Sequence, residues 1–143
     1  MPKQTAEQRR QAAKQKADEK RAAEEEREAA VESARKEFER WRQLTSVVEA
    51  LAKEMPKNSS KAATLPISQL SLDRINKSIT AVKELTAATG DDFIKDITVF
   101  VPAGDMPEYR DAALVLGQLA AGLRRFHRSQ SSEWQARLGH NVL

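Results

Sequence analysis

Cysteine is absent from all 143 residues. That excludes disulfides, thiolate metal sites and cysteine nucleophiles together, and it suits a reducing compartment such as the cytoplasm. Histidine is nearly as scarce, with two residues, and aromatic residues make up 5%. No apolar run approaches the roughly 20 residues that a membrane helix needs, and the N-terminus has no apolar stretch of the secretory kind. Large apolar side chains are also missing from one particular place: none lies between Met1 and Val31. Of the 40% of residues that are apolar, 22 are alanines. The core must therefore be modest and must come from residues after 30.

What fills the first thirty residues is a mixture of Ala, Gln, Glu, Lys and Arg, nearly all good helix formers. Thr5 followed by Gln8 has the spacing of a capping box and predicts a helix start. Opposite charges recur four residues apart, at Lys14–Asp18, Lys20–Glu24, Arg21–Glu25, Glu32–Lys36 and Arg35–Glu39. Such pairs are worth about 0.2–0.5 kcal/mol each, enough in series to support a solvated helix. Charge is also sorted along the stretch, with residues 1–21 at +4 and residues 22–34 at −4. From Val31 onward a helical stripe begins: Val31, Phe38, Trp41, Leu44, Val48, Leu51 and Met55. The spacing predicts one helix from about Thr5 to Met55, with residues 1–30 an exposed charged arm. Pro56 stops it, and residues 56–66 read as a polar linker before the rest of a bundle spanning 31–143.

Ser71 is the expected cap of the next helix, with Leu70 and Ile75 as its hydrophobic staple, and Gly90 stands where a helix ends. The stretch from Asp92 through Phe93-Ile94-Lys95-Asp96-Ile97-Thr98-Val99-Phe100-Val101 mixes both propensities and is read as helix, since no second strand exists to pair with it. After the turn 102–107, Asp105 and Glu108 cap a helix running to about Arg128. Gly117, Ala120, Ala121 and Gly122 leave that helix thin on one side, which suggests a close helix approach. Ser132 opens a short last helix through Trp134 and Leu138. The fold expected is all-α: a long charged helix whose second half packs on three or four shorter ones.

Catalysis has little to work with. His127 and His140 stand without ligand spacing around them, and Asp91, Asp92 and Asp96 are explained by capping and a solvated face. No enzyme activity, metal or cofactor is expected. Binding is better supplied. Residues 112–143 carry +3, with Arg124, Arg125 and Arg128 clustered beside Phe126 and His127. Cations at a helix end complement its dipole, but the same residue types also meet phosphates and stack on bases. Arg74 and Lys77, one turn apart, add to this candidate surface. Lys3, Arg9, Arg10, Lys14 and Lys16 form a second basic element able to lie along a phosphate backbone. Phe38 and Trp41 on the long helix, and Trp134 and Leu138 near the C-terminus, are candidate anchors for another chain, either a copy of this one or a different subunit.

The segment Leu119-Ala120-Ala121-Gly122-Leu123-Arg124-Arg125-Phe126-His127-Arg128, on a cysteine-free bundle without catalytic residues, resembles the small helical subunits of multi-subunit CRISPR effector complexes. The resemblance covers residues 66–128, and the charged helix 5–35 departs from it. It implies a non-enzymatic protein that supports a guide RNA–target duplex or a displaced strand within a complex. The residues themselves lead to a non-catalytic helical subunit that binds an RNA or single-stranded DNA backbone among other protein subunits, with no membrane partner. The competing expectation is a coiled-coil adaptor or self-associating scaffold that binds no nucleic acid.

Overall fold

The computed structural model describes residues 5–101 and 106–139. Four α-helices pack on one another: α1 (Ala6–Glu54), α2 (Gln69–Thr86), α3 (Asp92–Lys95) and α4 (Tyr109–Leu138). Short 3-10 turns occupy Lys61–Thr64 and Ala87–Thr89, and no strand occurs among the described residues. The all-α reading holds.

α1 starts where its capping box places it. Gln8 N–H donates to the Thr5 hydroxyl at 3.2 Å, and the Gln8 side chain accepts from Thr5 N–H at 3.0 Å. It stops at Met55, whose extended backbone (ψ 139°) is the conformation a following proline imposes. Residues 5–29 are all exposed, and burial begins only in the second half, at Ala34, Val48 and Leu51. None of the expected four-residue charge pairs on α1 closes. Arg35 instead meets Glu32 at 3.0 Å, one residue nearer. Exposed lysines and glutamates lose more rotamer freedom on pairing than the weak attraction returns.

Three local expectations are corrected. α2 is capped by Ser68, whose hydroxyl accepts from Ser71 N–H, so Ile67 and Leu72 take the staple positions and both are buried, while Leu70 is exposed. Helix in the segment after Asp92 lasts only to Lys95. Residues 97–101 belong to no regular element and borrow partners from α2. The Asn76 amide donates to the Phe100 carbonyl and accepts from Phe100 N–H, both at 2.9 Å, and Lys83 donates to the Ile97 carbonyl at 2.6 Å. A side-chain amide thus does what a neighbouring strand would do, which satisfies the backbone without a sheet. Finally, α4 runs unbroken through the serines to Leu138, ending at Gly139 with φ 91°. Its first turn is held by Glu108, whose N–H donates to the Asp111 carboxylate at 3.1 Å. The expected contribution of Asp105 lies outside the described residues.

The stretch 56–66 is not a loose tether. Ala63 is buried, the Leu65 carbonyl accepts from Tyr109 N–H at 3.1 Å, and Ile67 N–H donates to the Pro107 carbonyl at 2.9 Å. These bonds tie the entrance of α2 to the entrance of α4. The core lies where α1, α2 and α4 meet, around Val48, Leu72, Ile75, Ile79, Leu116, Leu119, Leu123, Phe126 and Trp134. Gly122 on the thin side of α4 is required there: a Cβ would collide with the Ile94 side chain of α3. Gly117 faces open space, so the close approach is made at one glycine.

Because residues 5–29 bury nothing, deleting residues 2–28 should move the melting temperature by less than about 3 °C. A fall beyond about 5 °C in a thermal melt followed by circular dichroism would show that this half docks on the body.

Candidate nucleic-acid interface

α1 and α4 run antiparallel, and the seam between them is aromatic. Trp41 stands 4.5 Å from the His127 ring and 5.8 Å from Trp134, while Phe38 meets Trp134 edge-on at 5.4 Å. Both indole N–H groups are used across it. Trp41 donates to the Leu123 carbonyl at 2.8 Å, and Trp134 donates to the Glu37 carboxylate at 2.9 Å. Trp134 is 1% exposed, and Leu138 packs against the same cluster. The four residues read as anchors for another chain, Phe38, Trp41, Trp134 and Leu138, are therefore engaged inside this one. Their helical spacing is that of a core face, and nothing in the sequence shows that the two tryptophans, 93 residues apart, face each other.

The basic cluster divides according to which side of α4 each residue occupies. Arg125 turns to the N-terminus of α3, where Nε and Nη2 donate to the two Asp91 carboxylate oxygens at 2.8 and 3.1 Å. Its guanidinium also lies 5.2 Å from the centre of the Phe93 ring. Asp91 meanwhile caps α3 by accepting from Phe93 N–H and Ile94 N–H, both at 3.1 Å. The Arg125 hydrogen bond, opposed by partial burial and helped by these backbone donors, holds the Asp91 carboxyl below its ordinary range. Arg125 is a structural tie here, and His127 is a seam residue.

Arg124 and Arg128 are different. Both are exposed, and no ion pair among the described residues includes either. Each follows by one residue a position that touches Trp41, so both stand on the flank of α4 beside the seam with α1. The unbroken course of α4 also corrects their description as a helix end. The dipole acts within about one turn of a terminus, and Arg128 lies well before Leu138. Nothing internal to the helix accounts for this pair. Positions one turn away hold Ala120, Ala121, Ser131 and Ser132, none of them acidic.

Arg74 and Lys77 are exposed on α2 and line a different feature, a groove of about 460 Å³ between α1 and α2 shared with Leu44, Val47, Leu51 and Ala81. The structure does not bring them into contact with the α4 pair. His140 and Lys3 lie outside the described residues. No cluster of three or more potential metal ligands, and no helix long and apolar enough to cross a membrane, occurs among the described residues. Comparison with family models, with curated proteins and with solved structures finds no match.

The Asp91–Arg125 tie makes a pH prediction. A carboxyl whose folded-state pKa is lowered contributes stability that is fully present above its ordinary value of 3.8 and is lost as pH falls through the lowered one. Asp91→Asn keeps the cap but weakens the pair, and should cost roughly 1.5–3 kcal/mol near neutrality, toward the low end because Arg125 is a third exposed. In urea unfolding, the gap between wild type and variant should narrow from about pH 5 downward. A gap that stays constant across that range would contradict the assignment.

Proposed function

We propose that this chain is a non-catalytic helical subunit of a nucleoprotein assembly, holding an RNA or single-stranded DNA backbone by charge. The observation that carries the reading is the pair Arg124 and Arg128, exposed in mid-helix without an acidic partner among the described residues or a dipole to complement. Guanidinium groups one turn apart on a rigid helix suit successive phosphate oxygens, which they meet by charge-assisted hydrogen bonds. A small subunit of a CRISPR effector complex is one protein of this kind, and the long exposed helix is what this chain adds to that pattern. Phe38, Trp41 and Trp134 pack on one another inside the chain, which supports this reading over that of an adaptor anchored through them.

Replacing Arg124 and Arg128 by Gln while keeping Arg125 tests the reading without disturbing the Asp91 tie. Fluorescence anisotropy with a labelled single-stranded RNA should show weaker binding, and the plot of log affinity against log salt should flatten by about 1.4 for two contacts. Arg125→Gln should instead lower the melting temperature and leave that slope unchanged. Wild type that binds neither RNA nor DNA at low salt would overturn the proposal and leave the adaptor.

A further inference from the structure

The exposed half of α1 carries a charge pattern that its docked half explains. Along the docked half, the line facing α4 runs through Ala34, Phe38 and Trp41, and half-buried Thr45 and buried Val48 continue it. Continued toward the N-terminus at 3.6 residues per turn, the same line passes through Arg27, Lys20, Lys16 and Arg9, spaced by seven, four and seven residues. Within roughly 40° of that line the other residues are Thr5, Ala12, Ala23 and Ala30, and no acid is among them. The nearest acids are Glu19 and Glu24, about 60° and 80° away on either side. No ion pair among the described residues includes any of the four cations.

α4 covers this face only as far as the cleft where Ala30 and Ser33 meet Glu133 and Arg137. Beyond it the line is bare, and its composition changes at the same point from apolar to cationic. The remaining cations of this half, Arg10, Lys14 and Arg21, lie on another side among Glu7, Asp18, Glu25 and Glu28. The four in line are thus set apart from a half-helix that is otherwise acidic, with three cations against seven acids over residues 5–30.

We infer that Arg9, Lys16, Lys20 and Arg27 form a rail for a nucleic-acid phosphate backbone, extending the face by which α1 docks on α4. The inference rests on the function proposed above and gives it a second contact surface. Charge complementarity selects the occupant. The rail is linear, about 27 Å from first to last cation, and the occupant it fits is a linear polyanion. A protein partner would need apolar area at the centre of the contact, where lysine is depleted, and this face offers only alanine between its cations.

Two triple variants of the full chain separate the rail from charge in general. Lys16→Gln/Lys20→Gln/Arg27→Gln removes three charges from the rail, and Arg10→Gln/Lys14→Gln/Arg21→Gln removes three from the mixed side. Glutamine keeps helix propensity, and circular dichroism confirms that helix content is equal. Binding is read by anisotropy with a labelled 30-nucleotide poly(U) RNA and a 30-base-pair DNA duplex. The rail triple should lose at least about tenfold in affinity near 100 mM salt and flatten the salt slope by about 2–3, whereas the mixed-side triple should change affinity less than about threefold. Equal losses in the two triples would overturn the rail, as would an unchanged rail triple. If that happens while Arg124→Gln/Arg128→Gln still weakens binding, the rail alone fails and the function stands. Wild type that binds neither probe overturns both. Light scattering that finds a salt-sensitive dimer, dissolved by the rail triple, would replace the polyanion with a second copy of the chain and overturn the inference.

Discussion

The aromatic seam between α1 and α4 is the constraint on which the other features depend. Phe38 and Trp41 on one helix meet His127 and Trp134 on the other, and both indole N–H groups are satisfied across the joint. Aromatic pairs of this geometry are worth about 0.5–1.5 kcal/mol each beyond the area they bury. The two indole hydrogen bonds also fix rotation, because each has one acceptor at a set place. With α1 clamped in rotation, every residue from 5 to 29 has a defined direction although all of them are exposed. The seam likewise sorts the residues around Phe126: His127 is drawn into it, Arg124 and Arg128 flank it, and Arg125 is left on the far side to meet Asp91.

Much of this was legible in the residues. The Thr5–Gln8 box, the apolar stripe after Val31 and Pro56 define α1 to within a residue, because all three signals are local. The apolar spacing of α2 and α4 places their buried faces for the same reason. What was not legible is long-range or depends on one side chain. Asn76 holds the non-helical stretch 97–101 at Phe100, across 24 positions. Asp91 and Arg125 pair across 34. The serines of α4 looked like a break, yet Ser129 and Ser131 donate back to the Phe126 and Arg128 carbonyls and remain in the helix. Trp134 holds that last stretch down, so tertiary packing overrides a weak local preference.

The same division runs through the candidate interface. The charge of Arg124, Arg125 and Arg128 beside His127 was plain, but the distribution of these four residues over the surface of α4 required the neighbours to be known. Two of the four turn out to hold the fold together, and two face solvent. On α1 the reverse applies. The arm there was read as a basic segment, while its arrangement into one line follows from periodicity once the docked face gives the line its origin.

The account as a whole requires α1 to continue past the seam as one straight helix, because only then does its exposed face keep the direction the seam imposes. The absence of cysteine makes this directly measurable: spin labels on Gln11→Cys and Glu39→Cys are the only reactive thiols in the chain. Pulsed electron resonance should give one narrow distance distribution near 42 Å, about 1.5 Å for each intervening residue. A broad distribution centred well below that value would mean the helix ends near Val31, and the rail would lose its alignment with the body.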